Sequence, residues 1–178
     1  DARLHRPAAH STGTPPRPGA LADAVDRAGS EKRRARLIRS VDVMAVNLQY
    51  MHITVDDVDA ALGFYRDALG LEERNNVEND GFRWVTLGFA EQPGVEIVLS
   101  QPGAGRSAED AASISQLLAK GVLQQVVFST DDLDSTFEKA RVSGTGEVLQ
   151  EPMQQPWGPR DCAFRDPAGN MVRISQTG

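Results

Sequence analysis

The sequence predicts an α+β fold of two tandem βαβββ modules related by a pseudo-twofold internal repeat. Three observations predict it. The chain repeats itself: Val55-Asp-Asp-Val-Asp59 lies over Thr130-Asp-Asp-Leu-Asp134, and Gly94-Val-Glu-Ile-Val-Leu-Ser-Gln101 lies over Gly169-Asn-Met-Val-Arg-Ile-Ser-Gln176, both at an offset of 75. Each copy opens with a short apolar strand pattern. It then passes through an Asp-capped helical pattern ended by Gly70 or Gly144, and continues as short strands punctuated by turn residues. Finally, Asp166-Pro-Ala-Gly-Asn170 supplies the chemistry of a tight turn between two alternating runs, one holding Cys162 and Phe164, the other Met171, Val172 and Ile174.

Residues 1–43 differ in kind from the rest. The first twenty are rich in Pro, Ala, Arg and Gly and lack apolar periodicity, a composition expected to be disordered. Residues 21–38 have helical spacing interrupted by Gly29-Ser30, and Glu31-Lys-Arg-Arg-Ala-Arg36 is locally basic, which reads as a solvated extension or, alternatively, as an arm for a partner or nucleic acid. We therefore expect a disordered or partly helical extension over 1–43 and one domain over 44–178, with modules 46–101 and 122–177 joined by a helical linker, 102–121.

In the first module, 48–55 reads as a strand, and Asp56-Asp57 cap a helix over 58–69. Val58, Ala61, Leu62, Tyr65 and Leu69 fall on one face of that helix. Strands follow over 71–77, 82–89 and 95–100, with turns at Glu78-Asn-Asp-Gly81 and Gln92-Pro-Gly94. In the linker, Ser107 and Asp110 form a capping box for a helix with an apolar stripe of Ile114, Leu117 and Leu118, ended by Gly121. The second module reads as a strand over 122–129, a helix over 133–142 capped by Asp131-Asp132, a strand over 147–152, and the closing hairpin. A sheet with a helix on one face must bury its other face against its counterpart or curve it around a ligand.

Composition bounds the function. The chain is 40% hydrophobic and 25% charged, with a formal net charge of −6, which argues against a nucleic-acid partner. A single cysteine, Cys162, excludes an intrachain disulfide and fits a reducing compartment; its place in an alternating strand marks a buried, inert thiol. No run approaches the roughly 20 apolar residues needed to span a bilayer, and no signal-peptide pattern opens the chain. The expected location is cytoplasmic, with no membrane partner. Two of the three histidines, His5 and His10, lie in the extension, so no Ser/His/Asp set assembles; nor is there a P-loop or a dinucleotide fingerprint.

The stretches Val55-Asp-Asp-Val-Asp-Ala-Ala-Leu-Gly-Phe-Tyr-Arg-Asp-Ala-Leu-Gly70 and Phe164-Arg-Asp-Pro-Ala-Gly-Asn-Met-Val-Arg173 resemble the first strand-to-helix signature and the terminal hairpin of the vicinal oxygen chelate superfamily. That superfamily includes glyoxalase I, bleomycin-resistance proteins and extradiol dioxygenases, and the resemblance covers residues 46–177; it implies that the two modules form a cup of mixed sheets with helices outside. It implies, for metal-using members, four inward ligands from the first and last strands of each module, usually His or Glu and occasionally Gln. Those positions fall here on Tyr50, Val98, Gln125 and Arg173. Valine has no lone pair, tyrosine is a rare ligand for these ions, and arginine is a permanent cation without an acceptor, so only Gln125 could coordinate. A guanidinium in the ion's place also repels it. The expected cofactor is therefore none, a divalent metal being disfavoured. His52, on the face of Tyr50, and Glu96, on the face of Val98, leave a shifted site open, though short of three protein ligands. The plainer reading of His52 is a hydrogen-bonded cavity or core histidine.

The alternative chemistry is recognition of a polar ligand. Arg173 can offer a planar fork of donors to a carboxylate, phosphate or carbonyl, with hydrogen bonds from Gln125, Tyr50 and His52. Trp84 and Trp157 can supply apolar walls, Trp157 from the loop Gln154-Gln-Pro-Trp-Gly-Pro159 at the rim. The plainer readings are an ion pair between Arg173 and a carboxylate such as Glu96, and core packing for each tryptophan. The expectation is thus a protein that binds a small polar or aromatic molecule in the inter-module cup without the usual metal. One alternative is a metal-dependent or acid–base lyase, isomerase or dioxygenase with His52 and Glu96 as the catalytic candidates; another is a non-catalytic interaction module. The resemblance also implies a homodimer.

Overall fold

Residues 46–177 are described by a computed structural model, so the extension expected over 1–43 lies outside the described residues. The elements run β1 (Tyr50–Thr54), α1 (Val58–Leu62, continued by a π-helical turn, Gly63–Ala68), β2 (Glu72–Asn79), β3 (Phe82–Gly88), β4 (Glu96–Ser100), α2 (Ala108–Ala119), β5 (Gln125–Thr130), α3 (Leu133–Ser143), β6 (Glu147–Gln154), β7 (Arg160–Arg165) and β8 (Met171–Gln176). They form two four-stranded mixed sheets, ordered β1-β4-β3-β2 and β5-β8-β7-β6, each with its helix: two tandem βαβββ modules. The repeat read from the sequence is also a repeat of register. Tyr50 pairs with Glu96 in parallel β1/β4, and Gln125 pairs with Met171 in parallel β5/β8, the same positions displaced by 75.

Local chemistry explains the helix ends. Asp57 accepts from the backbone N–H groups of Asp59 and Ala60 at 2.9 and 3.0 Å, and Asp132 accepts from that of Ser135 at 3.0 Å. Gly144 closes α3 with φ +67°, a left-handed cap. Ser107 caps α2 as the capping box predicts, accepting from Asp110 at 3.1 Å. The apolar stripe expected on α2 is only partly used: Leu118 is buried, but Leu117 is exposed. The C-terminal end of the helix meets the module at the Leu118 carbonyl, which sits against Gly169, so a long buried seam is not needed there.

The first helix is buried more broadly than a single stripe. Phe64 and Tyr65 are adjacent and both fully buried, because α1 packs against both modules. The Phe64 ring meets Phe164 of β7 at 6.1 Å, and Tyr65 meets Phe128 of β5 at 6.3 Å; Phe137 of α3 reaches Phe164 at 5.4 Å. The helix-bearing faces of both sheets thus share one core, with Ile53, Leu87, Ile97 and Leu99 from the first and Cys162, Phe164, Val172 and Ile174 from the second.

Polar groups complete the join. Strand β1 is an edge strand, and the Gln124 side chain serves as its missing neighbour: Oε1 accepts from the Thr54 N–H at 2.7 Å, and Nε2 donates to the His52 carbonyl at 2.9 Å. Asn170 Nδ2 donates to the Thr54 carbonyl at 2.9 Å, and the Tyr65 hydroxyl donates to Asp166 at 2.7 Å. No helix among the described residues is long and apolar enough to cross a membrane.

The two modules therefore meet through the faces that carry the helices. The opposite sheet faces, where the sequence places its candidate site, are left open, and the inter-module cup is not enclosed by the chain itself.

Candidate functional site

Strand alternation puts every second residue on the open faces. On the first sheet the cross-strand rows read Tyr50–Glu96–Gly88, His52–Val98–Thr86 and Thr54–Ser100–Trp84–Val77. On the second they read Gln125–Met171–Arg165–Glu147, Val127–Arg173–Ala163–Gln150 and Ser129–Ser175–Asp161–Met153. Tyr50, His52, Val98, Glu96 and Trp84 therefore share one face, and Gln125 and Arg173 share the other, as sequence alternation implies. Within one chain these two groups are not brought together.

Exposure sorts them further. Tyr50 is 46% exposed and Val127 57%; His52 and Gln125 are also exposed, so a core position does not fit His52. Glu96 is half-buried, and Val98 is buried between its row neighbours. Trp84 is half-buried, its ring 6.4 Å from Phe82 in an edge-on contact, so it combines packing with an accessible surface. Trp157 is 70% exposed at the tip of the β6–β7 loop, where core packing does not account for it.

Arg173 is in an ion pair, but not with Glu96, which lies on the other sheet beside Tyr50. Its Nη1 donates to Asp161 Oδ1 at 2.8 Å. Asp161 is 2% exposed, and the same oxygen accepts from Gln155 Nε2 at 2.6 Å and Gln150 Nε2 at 3.1 Å. Burial opposes ionisation of Asp161, but the donors of Gln155, Arg173 and Gln150, with the Arg173 charge, outweigh it and hold the carboxyl below the usual range. Gln155 also ties the loop bearing Trp157 to this pair, since its backbone N–H bonds the Pro159 carbonyl at 2.9 Å and its carbonyl accepts from Gly158 at 3.1 Å.

Asp161 and Gln155 are absent from the sequence-derived set. Asp161 pairs with Ser175 as Trp84 pairs with Ser100, so these two residues occupy equivalent places. The repeat hides that equivalence because the loop after β3 is two residues longer than the one after β7, shifting the offset of 75 to 77. Counting outward from the Asp166-Pro-Ala-Gly-Asn170 turn would have placed Asp161 diagonal to Arg173 without the repeat.

The four superfamily ligand positions do not suit a divalent ion. Val98 has no donor atom, Arg173 holds a cation next to Asp161, and Tyr50 is an uncommon ligand, leaving Gln125. His52 and Glu96 stand diagonally on adjacent strands, and among the described residues no three His, Cys, Asp or Glu side chains come together around a common point.

A cavity of about 380 Å³ lies elsewhere, between the two modules on their helix-bearing side. Met51, Leu69, Leu71, Phe89, Ile97 and Phe128 are among its walls, and β5 lines it along its whole length. Of the candidate residues only Gln125 borders it.

Comparison with known proteins places the chain. The profile of the Glyoxalase/Bleomycin resistance protein/Dioxygenase superfamily matches residues 47–174. The crystal structure of UcmS2 superposes with a TM-score of 0.66 at 34% identity, covering 74% of this chain and 98% of that one. TnmS3, an antibiotic binding protein from Streptomyces sp. CB03234, superposes with a TM-score of 0.58 at 21% identity, covering 76% and 99%. The uncharacterized protein YwbC of Bacillus subtilis (strain 168) is 27% identical over 135 residues, 75% of this chain and 99% of its own. With the paired βαβββ modules already established, the profile match over nearly all of them assigns the family: the chain belongs to the Glyoxalase/Bleomycin resistance protein/Dioxygenase superfamily.

Proposed function

We propose that this protein binds a small, partly aromatic molecule on its open sheet faces, without the superfamily's usual divalent metal, in a cup that a second copy of the chain completes. The observation that carries the reading is the distribution of apolar surface. The helix-bearing faces form the shared core apart from the cavity beside β5, while Tyr50, Val77, Val127, Met153 and Trp157 remain exposed on or beside the opposite faces. Exposed apolar side chains beside a few polar groups are the composition of an interaction or ligand site. Placing the first sheet of one copy against the second sheet of another would bring Tyr50, His52 and Trp84 opposite Gln125 and Arg173, the grouping that one chain does not make. The metal-free part of the reading rests on the donor set at the four ligand positions.

A second reading has its own observation: His52 and Glu96 lie diagonally on one face, so a positioned acid–base pair is available for chemistry on a bound molecule.

The test is a combined measurement on the full chain purified without chelator. Light scattering should give a dimer. Titration with a panel of aromatic compounds, with antibiotics included because TnmS3 is described as binding them, should give saturable quenching of tryptophan fluorescence that Arg173→Ala weakens at least tenfold. Elemental analysis should find well under one transition metal per chain. A monomer, or the absence of saturable binding across the panel, would overturn the binding reading; one tightly held Fe, Mn, Ni or Zn per chain would overturn its metal-free part.

A further inference from the structure

The cations on the open faces are each paired with a carboxylate. Arg173 is matched by Asp161 at 2.8 Å, Arg165 by Glu147 at 3.4 Å, and Arg74, whose side chain lies across Gly88, by Glu72 at 2.8 Å. Glu96 faces the same side as Tyr50 and has no ion-pair partner among the described residues. The balance on these faces is neutral to acidic, within a chain whose formal net charge is −6.

Arg173 looks like an anion clamp in the sequence, but its geometry gives it another character. Asp161 is 2% exposed and held on one oxygen by Gln155, Gln150 and Arg173 together, so it cannot swing aside when a ligand arrives. An anion docking on the guanidinium would meet a fixed, poorly screened carboxylate at its back. A neutral acceptor meets no such cost. Arg173 is 21% exposed, and beyond the Nη1 bond to Asp161 its remaining N–H donors have no hydrogen-bond partner among the described residues. Val127 and Ala163 flank it in the row, apolar neighbours that suit an uncharged body around the acceptor.

Resting on the binding reading above, we infer that the site selects uncharged molecules carrying a carbonyl-type acceptor and rejects carboxylates and phosphates, with Asp161 as the residue that sets this selectivity through Arg173. Asp161 is thus a specificity-determining positioning residue, although it offers the ligand no direct contact in this arrangement.

The experiment compares matched probes: naphthalene, quinoline and indole, each as primary carboxamide and as carboxylate, titrated into the full chain at neutral pH and moderate salt by calorimetry. For every ring that binds, the carboxamide is expected to bind at least tenfold tighter than its carboxylate. Asp161→Asn removes the opposing charge at nearly constant shape and is expected to shift that ratio at least tenfold toward the carboxylate. A wild-type ratio below ten, or an unchanged ratio in folded Asp161→Asn, overturns the inference while leaving the binding reading intact. If the variant does not fold, the wild-type ratio still decides. Saturable binding of no probe in either form overturns the binding reading itself.

Discussion

Replacing Tyr65 with phenylalanine deletes a single oxygen at the join between the modules. The hydroxyl donates to Asp166 Oδ2 at 2.7 Å, across 101 positions of sequence, and both residues are buried. Asp166 Oδ1 accepts from the backbone N–H groups of Gly169 and Asn170 at 2.8 and 2.7 Å, and Oδ2 accepts from Asn170 Nδ2 at 3.0 Å. Without the hydroxyl, the buried Oδ2 keeps one donor of two. A hydrogen bond to a buried carboxylate contributes about 1.5–3 kcal/mol, so Tyr65→Phe should lower the unfolding free energy by about 2 kcal/mol. That corresponds to about 4–8 °C in Tm for a fold of this size. Urea unfolding near neutral pH should show a lower midpoint with an unchanged slope.

The same residue makes a pH prediction. Burial first, then the charge of Asp166 and its hydrogen bond, push the Tyr65 phenol well above its ordinary 10.0. A raised folded value means the stability it provides is fully present below about pH 10 and is lost as pH climbs from there toward the folded value. The alkaline fall in stability should be shallower in Tyr65→Phe than in the wild type. Tyr50 is present in both proteins, so the difference isolates Tyr65. A loss under about 0.5 kcal/mol near neutral pH, or identical alkaline slopes, would refute the reasoning.

Two further outcomes follow from the same hairpin. Gly169 has φ +108°, and a Cβ there would collide with the Leu118 carbonyl oxygen, so Gly169→Ala should cost about 3 kcal/mol in urea unfolding; a cost below about 1 kcal/mol would mean the helix end yields freely. Burial, with the charge of Asp161, pushes the Cys162 thiol up to about 11, so at mildly alkaline pH the native protein should resist a thiol-specific aromatic disulfide and react fully once denatured. Rapid native labelling would place that thiol in solvent.

The superfamily fold was legible because its signals are local or periodic. A cap such as Asp57 or Ser107 needs only the next three residues. The turn at Asp166–Asn170 needs only itself, and alternation assigned Tyr50, His52, Val98, Glu96 and Arg173 to their faces correctly. The site's electrostatics were much less legible. Arg173 is visible as a cation, but its partner Asp161 is not, because a two-residue difference in loop length displaces it from the repeat and leaves Glu96 as the carboxylate the sequence offers.

Phe64 shows the other limit. Helical periodicity marks one buried stripe, whereas α1 is covered from two directions, and only the arrival of Phe164 and Phe128 from the second module makes Phe64 and Tyr65 both core. By itself, then, the sequence determined the two modules and the shared faces of the strand-borne candidates, since these follow from spacing along one chain. Tertiary structure alone decided that the helix-bearing faces join, that the candidate faces stay open, and that Asp161 neutralises Arg173, since burial and charge pairing depend on which distant surfaces meet.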